Sequence, residues 1–284
     1  MLADTAGSVG LMQLPLAEYI FGGTGAMQKV RESLEAALLD DLPVLIEGES
    51  GTGKELVARF LHLRSTRAAG PFIRVNCGAL PARLLNREMF GQGCPSLEDR
   101  QEGSPGSVAL AANGTLFLDE IGEMDAELQQ KVVDVLNTGG SSCAVNARIV
   151  GASSVDLSTG MGGGRVSEGL SSRFKHRVRL SPLRERKQDI PHLCEYLVDK
   201  FARNFGRPAP QLNPEVLESF RQWNWPGNIR ELENWIARIV IFGSDEAMSP
   251  EFRRQMGIQQ GGGIARRHPV RPNLNRGRRA RRHK

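Results

Sequence analysis

The sequence predicts an α/β fold in which a parallel central sheet is flanked by helices and followed by a small helical lid domain. Up to about residue 187, short apolar runs alternate with helical segments, an order typical of a parallel sheet covered on both faces. A glycine-rich turn directly follows the first apolar run and opens a helix. After residue 187 the strand pattern ends, and apolar residues recur only at helical spacing.

The first predicted strand, PVLIE, is a short apolar run of the kind found in buried parallel strands. The segment GKELVARFLHL after the glycine-rich turn places Leu56, Phe60 and Leu63 at helical spacing. A further helix is predicted from Asp125. The four predicted strands are residues 43–47, 72–76, 115–120 and 147–153.

Composition excludes several classes of protein. No stretch approaches the roughly 18 apolar residues of a membrane helix, and the first residues lack the basic and apolar regions of a signal peptide. The sequence therefore predicts a cytoplasmic protein with no membrane partner. Its cysteines, Cys77, Cys94, Cys143 and Cys194, are widely spaced, which favours reduced thiols over a disulfide framework or a zinc site.

The basic charge of the chain is concentrated at its end. Residues 252–284 contain ten arginines, one lysine and no acidic residue, which leaves 26 basic and 32 acidic residues in residues 1–251. Because this segment has almost no large apolar side chain, it is predicted to be disordered. It can contact the phosphates of DNA without reading sequence. The alternatives are a solvated flexible tail or a reading-frame change that replaced an earlier domain.

The segment GESGTGKE fits the G-x-x-x-x-G-K part of a P-loop, in which backbone N–H groups wrap the phosphates of a nucleotide. Its lysine is expected to reach the β- and γ-phosphate oxygens. In the generic pattern a serine or threonine follows this lysine and contacts Mg²⁺, whereas this chain has a glutamate. The predicted ATP-binding residues of the loop are Gly48, Glu49, Ser50, Gly51, Thr52, Gly53, Lys54 and Glu55.

The segment GTLFLDE is an apolar strand that ends in two carboxylates. Asp119 is predicted to hold Mg²⁺ together with the ATP phosphates, and Glu120 to polarise the water that attacks the γ-phosphate. The alternative is an acidic strand end that is merely exposed to solvent. Together with the P-loop upstream, the two carboxylates predict an ATPase that uses ATP and Mg²⁺.

Five segments of the chain resemble the central AAA+ ATPase domain of bacterial enhancer-binding proteins, the activators of sigma-54 RNA polymerase. These segments are GESGTGKE, FIRVNCGAL, GTLFLDEIGEM, PLRERKQDIP and WPGNIRELEN. The resemblance covers roughly residues 18–243. It implies four parts, namely an N-terminal extension (1–17), an AAA+ nucleotide-binding domain (18–187), a helical lid domain (188–250) and the arginine-rich tail (251–284).

The resemblance implies roles for further residues whose types match the family. It places Ile20, Phe21 and Gly22 against the adenine base, and it makes a glutamate after the P-loop lysine usual. Asn76 matches the residue that restrains the catalytic glutamate, and the alternative is that it caps the turn after its strand. Arg230 matches the lid arginine that senses the γ-phosphate, and the alternative is a surface position on a helix.

The chain departs from the family at the loop that grips sigma-54. The family carries the motif G-A-F-T-G-A between its second and third strands, where this chain reads FGQGCPSLEDRQEGSPG at residues 90–106. No aromatic residue follows Phe90 in this stretch. The sequence therefore predicts an atypical member without the gripping loop, for which contact with RNA polymerase and sigma-54 does not follow from the resemblance.

A second departure concerns the arginines that reach the nucleotide of a neighbouring subunit. The family has two, six residues apart, before its PLRER segment. Arg173 matches the second, while Ser167 stands at the first position and the nearest arginine is Arg165. Arg173 is thus the predicted catalytic arginine, supplied to a neighbour in a ring-shaped homo-oligomer. A third departure is Ser154, which stands where the family has an asparagine at the end of its sensor strand.

Three hypotheses for function follow. In the first, the chain is an ATP-binding AAA+ transcription regulator of the sigma-54 activator type that uses ATP hydrolysis to remodel a transcription complex. In the second, it binds ATP but hydrolyses it poorly, cannot contact sigma-54 and serves as a regulatory partner. In the third, it binds nucleic acid through the arginine-rich tail, and the ATPase body only assembles it.

Overall fold

The computed structural model describes residues 21–91, 105–138, 146–155 and 166–243. Its strands are β1 (Val44–Glu47), β2 (Phe72–Asn76), β3 (Thr115–Asp119), β4 (Arg148–Ser153) and β5 (His176–Arg179). All pairs are parallel, and the order across the sheet is β2-β3-β4-β1-β5. The predicted parallel sheet is confirmed, and the four predicted strands agree with β1 to β4 to within one residue at each end.

One strand, β5, is missing from the sequence prediction. Its sequence, HRVR, is short and mostly basic, and Val178 is its only buried residue. β5 lies at the edge of the sheet beside β1. Because only one of its four residues is apolar, a search for apolar runs does not find it.

Helices cover both faces of this sheet. They are α1 (Gly25–Ala37), α2 (Lys54–Arg64), α3 (Ala82–Phe90), α4 (Ser107–Leu110), α5 (Ala126–Thr138) and α6 (Glu168–Ser171). Because successive strand residues point to opposite faces, Leu116 and Leu118 pack with α3, α4 and α5, while Phe117 packs with α1 and α2. The sheet is therefore buried on both sides, and the carboxyl ends of β1 and β3 meet at one edge.

A second hydrophobic core lies after the sheet and forms the lid. Its helices are α7 (Ile190–Phe205), α8 (Pro214–Gln222) and α9 (Asn228–Phe242). Trp225 is fully buried among them, and its Nε1 donates a hydrogen bond of 2.7 Å to the carbonyl oxygen of Phe220. Two short 3₁₀ turns, Leu183–Glu185 and Lys187–Asp189, connect β5 to α7. The predicted helical lid is confirmed.

Several sequence predictions fall outside the described residues. They concern the extension 1–17, Ile20, the segment 92–104 of the expected gripping loop, Arg165 and the tail 251–284. Within the described ranges, no helix is both long and apolar enough to cross a membrane. Cys77 and Cys194 are buried free thiols, and burial raises the pKa of each to about 12.

The buried histidine of α2 makes the stability of the fold dependent on pH. His62 is 5% exposed, and its Nδ1 lies 2.9 Å from Thr115 Oγ1. Burial, assisted by the charge of Arg59, lowers the pKa of His62. In the unfolded chain a histidine titrates near pH ~6.5, so the unfolded state takes up the proton more readily than the folded state.

We therefore expect the free energy of unfolding to fall as the pH drops below about 6.5, with His62 contributing at most about 1.4 kcal/mol per pH unit. Urea unfolding between pH 5 and pH 8 measures this slope. His62→Gln should reduce the slope, whereas His192→Gln, at an exposed histidine of α7, is the control that should not. The same slope in His62→Gln as in the unchanged chain would contradict the assignment.

Candidate nucleotide site

The P-loop connects β1 to α2 and requires glycine at two positions. Gly51 has φ 78° and Gly53 has φ 100°, both in the left-handed region that favours glycine. A Cβ on Gly51 would also collide with the carbonyl oxygen of Gly227 in the lid. Within the loop, Thr52 Oγ1 donates a hydrogen bond of 2.8 Å to the carbonyl of Glu49. The backbone is thus held in an open turn at the amino end of α2.

Lys54 and Glu120, predicted from separate motifs, lie in direct contact. Lys54 Nζ is 3.1 Å from Glu120 Oε1, and it donates bonds of 2.8 Å to the Gly48 carbonyl and 2.7 Å to Ser154 Oγ. Lys54 is 6% exposed. The ammonium group therefore sits at the centre of the site, between the P-loop and the ends of β3 and β4.

Glu120 is held in a fixed orientation by Ser154. Ser154 Oγ donates to Glu120 Oε1 over 2.5 Å, and the Ser154 backbone N–H donates to Oε2 over 2.9 Å. Burial raises the pKa of Glu120, but the Ser154 hydrogen bonds and the charge of Lys54 outweigh burial, so the pKa is lowered. Glu120 also has φ 57°, which is uncommon for a residue other than glycine and is often found at functional sites. The carboxylate is ionised and aimed at the P-loop lysine.

Asp119 belongs to a second charged group beside the site. Its Oδ2 accepts a bond of 2.8 Å from Arg74 Nη2, and Arg74 Nη1 lies 2.9 Å from Glu55 Oε2. Glu55 Oε1 lies 2.9 Å from Arg59 Nη2. Glu55, which replaces the generic hydroxyl residue of a P-loop, is therefore engaged by two arginines.

A single carboxylate beside the P-loop suits Mg²⁺, which is usually bound by one or two carboxylates together with substrate phosphates. Among the described residues, Asp119 Oδ1 makes no hydrogen bond or ion pair, while Oδ2 is taken by Arg74. The same residues contain no group of three or more His, Cys, Asp or Glu side chains that could hold a metal ion. The donor set fits a cation that nucleotide phosphates help to bind.

The lid contacts the P-loop directly at the start of α9. The backbone N–H groups of Ile229 and Arg230 lie 2.9 and 3.4 Å from the Gly51 carbonyl. Arg230 Nη1 is 3.4 Å from Ser50 Oγ, and the residue is exposed. The predicted lid arginine is thus placed beside the P-loop, with its guanidinium reaching across the loop.

Two lid-side residues that the sequence prediction missed complete this contact. Asn228 Nδ2 donates bonds of 3.0 Å to the Ser50 carbonyl and 3.2 Å to Glu49 Oε2. Arg184 holds the same Glu49 carboxylate with bonds of 2.6 and 2.8 Å, and these bonds lower the pKa of Glu49. Both residues stand in segments that carry the family resemblance, PLRERKQDIP and WPGNIRELEN, which was the available signal.

The segment expected to contact adenine packs against the end of the sheet domain. Phe21 is buried and its ring meets Phe60 edge-on, with centroids 5.0 Å apart. Gly22 has φ 57°, and a Cβ there would collide with the carboxylate of Asp189. That carboxylate accepts a bond of 3.0 Å from the Gly23 N–H. Phe21 therefore lies against α2, the helix that follows the P-loop, and Gly22 lies against Asp189.

Asn76 and Arg173 lie apart from the lysine and glutamate. Asn76 is the register partner of Asp119, and its Oδ1 accepts a bond of 3.1 Å from the Gly78 N–H, the capping contact of the alternative interpretation. The side chain of Arg173 is exposed and makes no hydrogen bond or ion pair with the other described residues. Ser167, where the family has its first arginine, caps α6 by accepting from the Leu170 N–H over 3.3 Å.

Comparisons with known proteins agree with this geometry. A family model described as a sigma-54 interaction domain matches residues 20–179, and one described as an AAA+ ATPase lid domain matches residues 184–256. The response regulator protein PilR of Pseudomonas aeruginosa is 35% identical over 246 residues, which are 84% of this chain and 55% of PilR. The regulatory protein AtoC of Escherichia coli is 38% identical over 250 residues, covering 83% of this chain and 54% of AtoC.

A solved structure has a similar fold over most of this chain. The crystal structure of NtrX from Brucella abortus in complex with ATP aligns with a TM-score of 0.68 at 30% identity, over 78% of this chain and 52% of NtrX. The chain thus spans about half the length of the relatives it matches.

Proposed function

Because the chain belongs to the sigma-54 interaction domain family of AAA+ ATPases, we propose that it binds ATP and hydrolyses it as a ring-shaped homo-oligomer. We further propose that this cycle of ATP binding and hydrolysis remodels a sigma-54 transcription complex. One observation carries it: Lys54, Asp119 and Glu120, from two distant motifs, meet at one P-loop, with Lys54 and Glu120 3.1 Å apart. The relatives PilR and AtoC, named as regulators, support a regulatory role.

Nucleotide binding is the first part of the proposal. The N–H groups of the P-loop would bind the phosphates, Lys54 would contact the β- and γ-phosphates, and Arg230 would approach from the lid. Phe21 and Gly22, with Ile20 before them, would line the adenine. The NtrX structure in complex with ATP supports this assignment for a chain of similar fold.

Hydrolysis is the second part. The pKa of Glu120 is lowered, so the carboxylate is available to polarise a water. Asp119, through its unbonded Oδ1, would hold Mg²⁺ with the phosphates, and the ion would neutralise charge that develops on them. Asn76 lies beside Asp119 in the register and would restrain Glu120 once its contact with Gly78 is released.

Assembly is the third part, and Arg173 supports it. Its exposed guanidinium lacks a partner among the described residues, so it is free to reach the nucleotide of a neighbouring subunit. A single arginine would do this, since Ser167 cannot. We propose a homo-oligomeric ring on this basis. Within each subunit, we propose that the extension ends at residue 17, the ATPase domain at residue 187 and the lid at residue 250, after which the tail begins.

The partners and location complete the proposal. We place the protein in the cytoplasm, acting on RNA polymerase with sigma-54, with DNA as a contact of the arginine-rich tail. The contact between Lys54 and Glu120 and the lowered pKa of Glu120 favour the ATP-hydrolysing regulator over the hydrolysis-impaired partner. Because residues 90–106 lack the G-A-F-T-G-A motif, contact with sigma-54 would need another surface of the chain.

A joint measurement of ATP turnover and particle size tests the proposal. For the full chain with Mg²⁺ we expect the turnover rate per subunit to rise with protein concentration. The particle should be larger with ATP than without nucleotide. Lys54→Ala should remove both effects, because the P-loop loses its phosphate-binding cation. Bound ATP without turnover at micromolar protein would contradict the proposal and favour the hydrolysis-impaired partner.

A further inference from the structure

Arg74 on the edge strand β2 joins two carboxylates from different motifs. Its Nη1 lies 2.9 Å from Glu55 Oε2, and its Nη2 lies 2.8 Å from Asp119 Oδ2. Glu55 directly follows the P-loop lysine, and Asp119 ends β3. The side chain of Asp119 is 15% exposed, while those of Arg74 and Glu55 are 39% and 34% exposed. A single guanidinium thus connects the start of the helix after the P-loop to the acidic end of β3.

Arg59 provides a comparison because it binds only one of these carboxylates. Its Nη2 lies 2.9 Å from Glu55 Oε1, and its guanidinium stacks over the Phe72 ring at 4.7 Å. Among the described residues it makes no contact with Asp119. Arg59 and Arg74 therefore bring equal charge to Glu55, but only Arg74 also holds Asp119.

We propose that Arg74 compensates the negative charge of Glu55 and Asp119, so that nucleotide phosphates can bind beside these carboxylates before a divalent cation does. Its two terminal nitrogens pair with Asp119 Oδ2 and with Glu55 Oε2, so each carboxylate beside the P-loop lysine receives part of its positive charge. The inference rests on the proposed nucleotide site and adds Arg74, to which the family resemblance gives no role. A planar guanidinium suits this role because it can bind two carboxylates at once in fixed geometry.

The expected consequence is electrostatic. A nucleotide that arrives without a metal ion brings a polyanion next to Glu55 and Asp119, and Arg74 offsets part of that repulsion. Without Arg74 the two carboxylates would repel the phosphates more strongly, and a divalent cation would relieve more of the repulsion. The ratio of ADP affinity with Mg²⁺ to ADP affinity without it should therefore rise.

The experiment measures binding of a fluorescent ADP analogue to the full chain in EDTA and in Mg²⁺. In Arg74→Met we expect affinity in EDTA to fall about fivefold, the size expected for one unit charge at a half-exposed site, while affinity in Mg²⁺ changes less. The ratio of the two affinities then rises by several-fold. Thermal unfolding in both buffers verifies that the variant is folded.

Two matched variants make the test specific. Arg59→Met removes an equal charge from Glu55 alone and should change the ratio by less than about twofold. Arg74→Met combined with Glu55→Gln restores the net charge and should return affinity in EDTA to within about twofold of the unchanged chain. A ratio in Arg74→Met that equals that of the unchanged chain or of Arg59→Met, or a ratio that falls, overturns the inference.

The outcome also separates this inference from the proposed function. If the unchanged chain binds ADP and only the Arg74 effect is absent, the charge-compensating role of Arg74 fails and nucleotide binding stands. If the unchanged chain binds no ADP in either buffer, the nucleotide site itself is wrong, and the role of Arg74 falls with it.

Discussion

Replacement of Glu120 by glutamine is expected to reduce ATP turnover by about 10²- to 10⁴-fold, the usual contribution of a general base, while ATP binding is kept. The geometry adds a second expectation. Glu120 Oε1 lies 3.1 Å from Lys54 Nζ in the described state, so ATP phosphates must compete with this carboxylate for the lysine. Removing its charge should therefore raise ATP affinity by up to about fivefold, since a partly exposed ion pair is worth at most about 1 kcal/mol.

Steady-state turnover and equilibrium ATP binding measure the two effects separately. The control is Glu127→Gln, which removes an exposed carboxylate that pairs with Lys131 on α5, away from the site. It should leave turnover within about twofold of the unchanged chain. If Glu120→Gln turned over ATP at the rate of this control, another group would have to polarise the attacking water.

Replacement of Arg173 by alanine is expected to reduce turnover by about 10³-fold or more, the effect of an arginine finger in phosphoryl transfer. ATP binding should change little in a single subunit, because the Arg173 side chain is exposed and contacts no other predicted site residue. Steady-state turnover and equilibrium ATP binding measure the two parts of this expectation. Arg221→Ala, at an exposed arginine of α8, is the control for loss of a surface charge.

Mixing two inactive variants gives the sharper test of this arginine. An Arg173→Ala subunit keeps Glu120, and a Glu120→Gln subunit keeps Arg173, so a mixed ring contains interfaces at which both groups are present. Turnover should reappear on mixing and should be greatest near equal amounts. Activity that stays absent in the mixture, although the variants assemble together, would show that Arg173 does not act in a neighbouring site.

Much of the fold could be predicted because its signals are local. β1, β3 and β4 are apolar runs beside glycine-rich or polar turns, and burial on both faces of a parallel sheet requires such runs. The edge strand β2 still carries three apolar residues of five. β5 could not be predicted in the same way. It carries three basic residues of four, and its place at the edge of the sheet depends on pairing with β1, which is distant in the sequence.

The residues of the candidate site likewise fall into two groups, those that a local motif identifies and those that only the tertiary structure identifies. Lys54, Asp119 and Glu120 could be named from the residue order of two short motifs, since phosphate and metal chemistry requires those residue types next to a strand end. From the sequence, Ser154 is only a departure from the asparagine that the family has at the end of its sensor strand. The structure places its Oγ 2.7 Å from Lys54 Nζ and 2.5 Å from Glu120 Oε1, which makes it the residue that orients both.

The sequence by itself determined the α/β class, the P-loop, the two carboxylates and the family resemblance, because each depends on residues close together in the chain. Only the tertiary structure decided which distant groups contact each other: Lys54 with Glu120, Arg74 with both Glu55 and Asp119, and Arg184 and Asn228 with Glu49. These pairs depend on strand order and on how the lid packs against the P-loop. Both follow from burying side chains along the whole chain, and no local pattern encodes them.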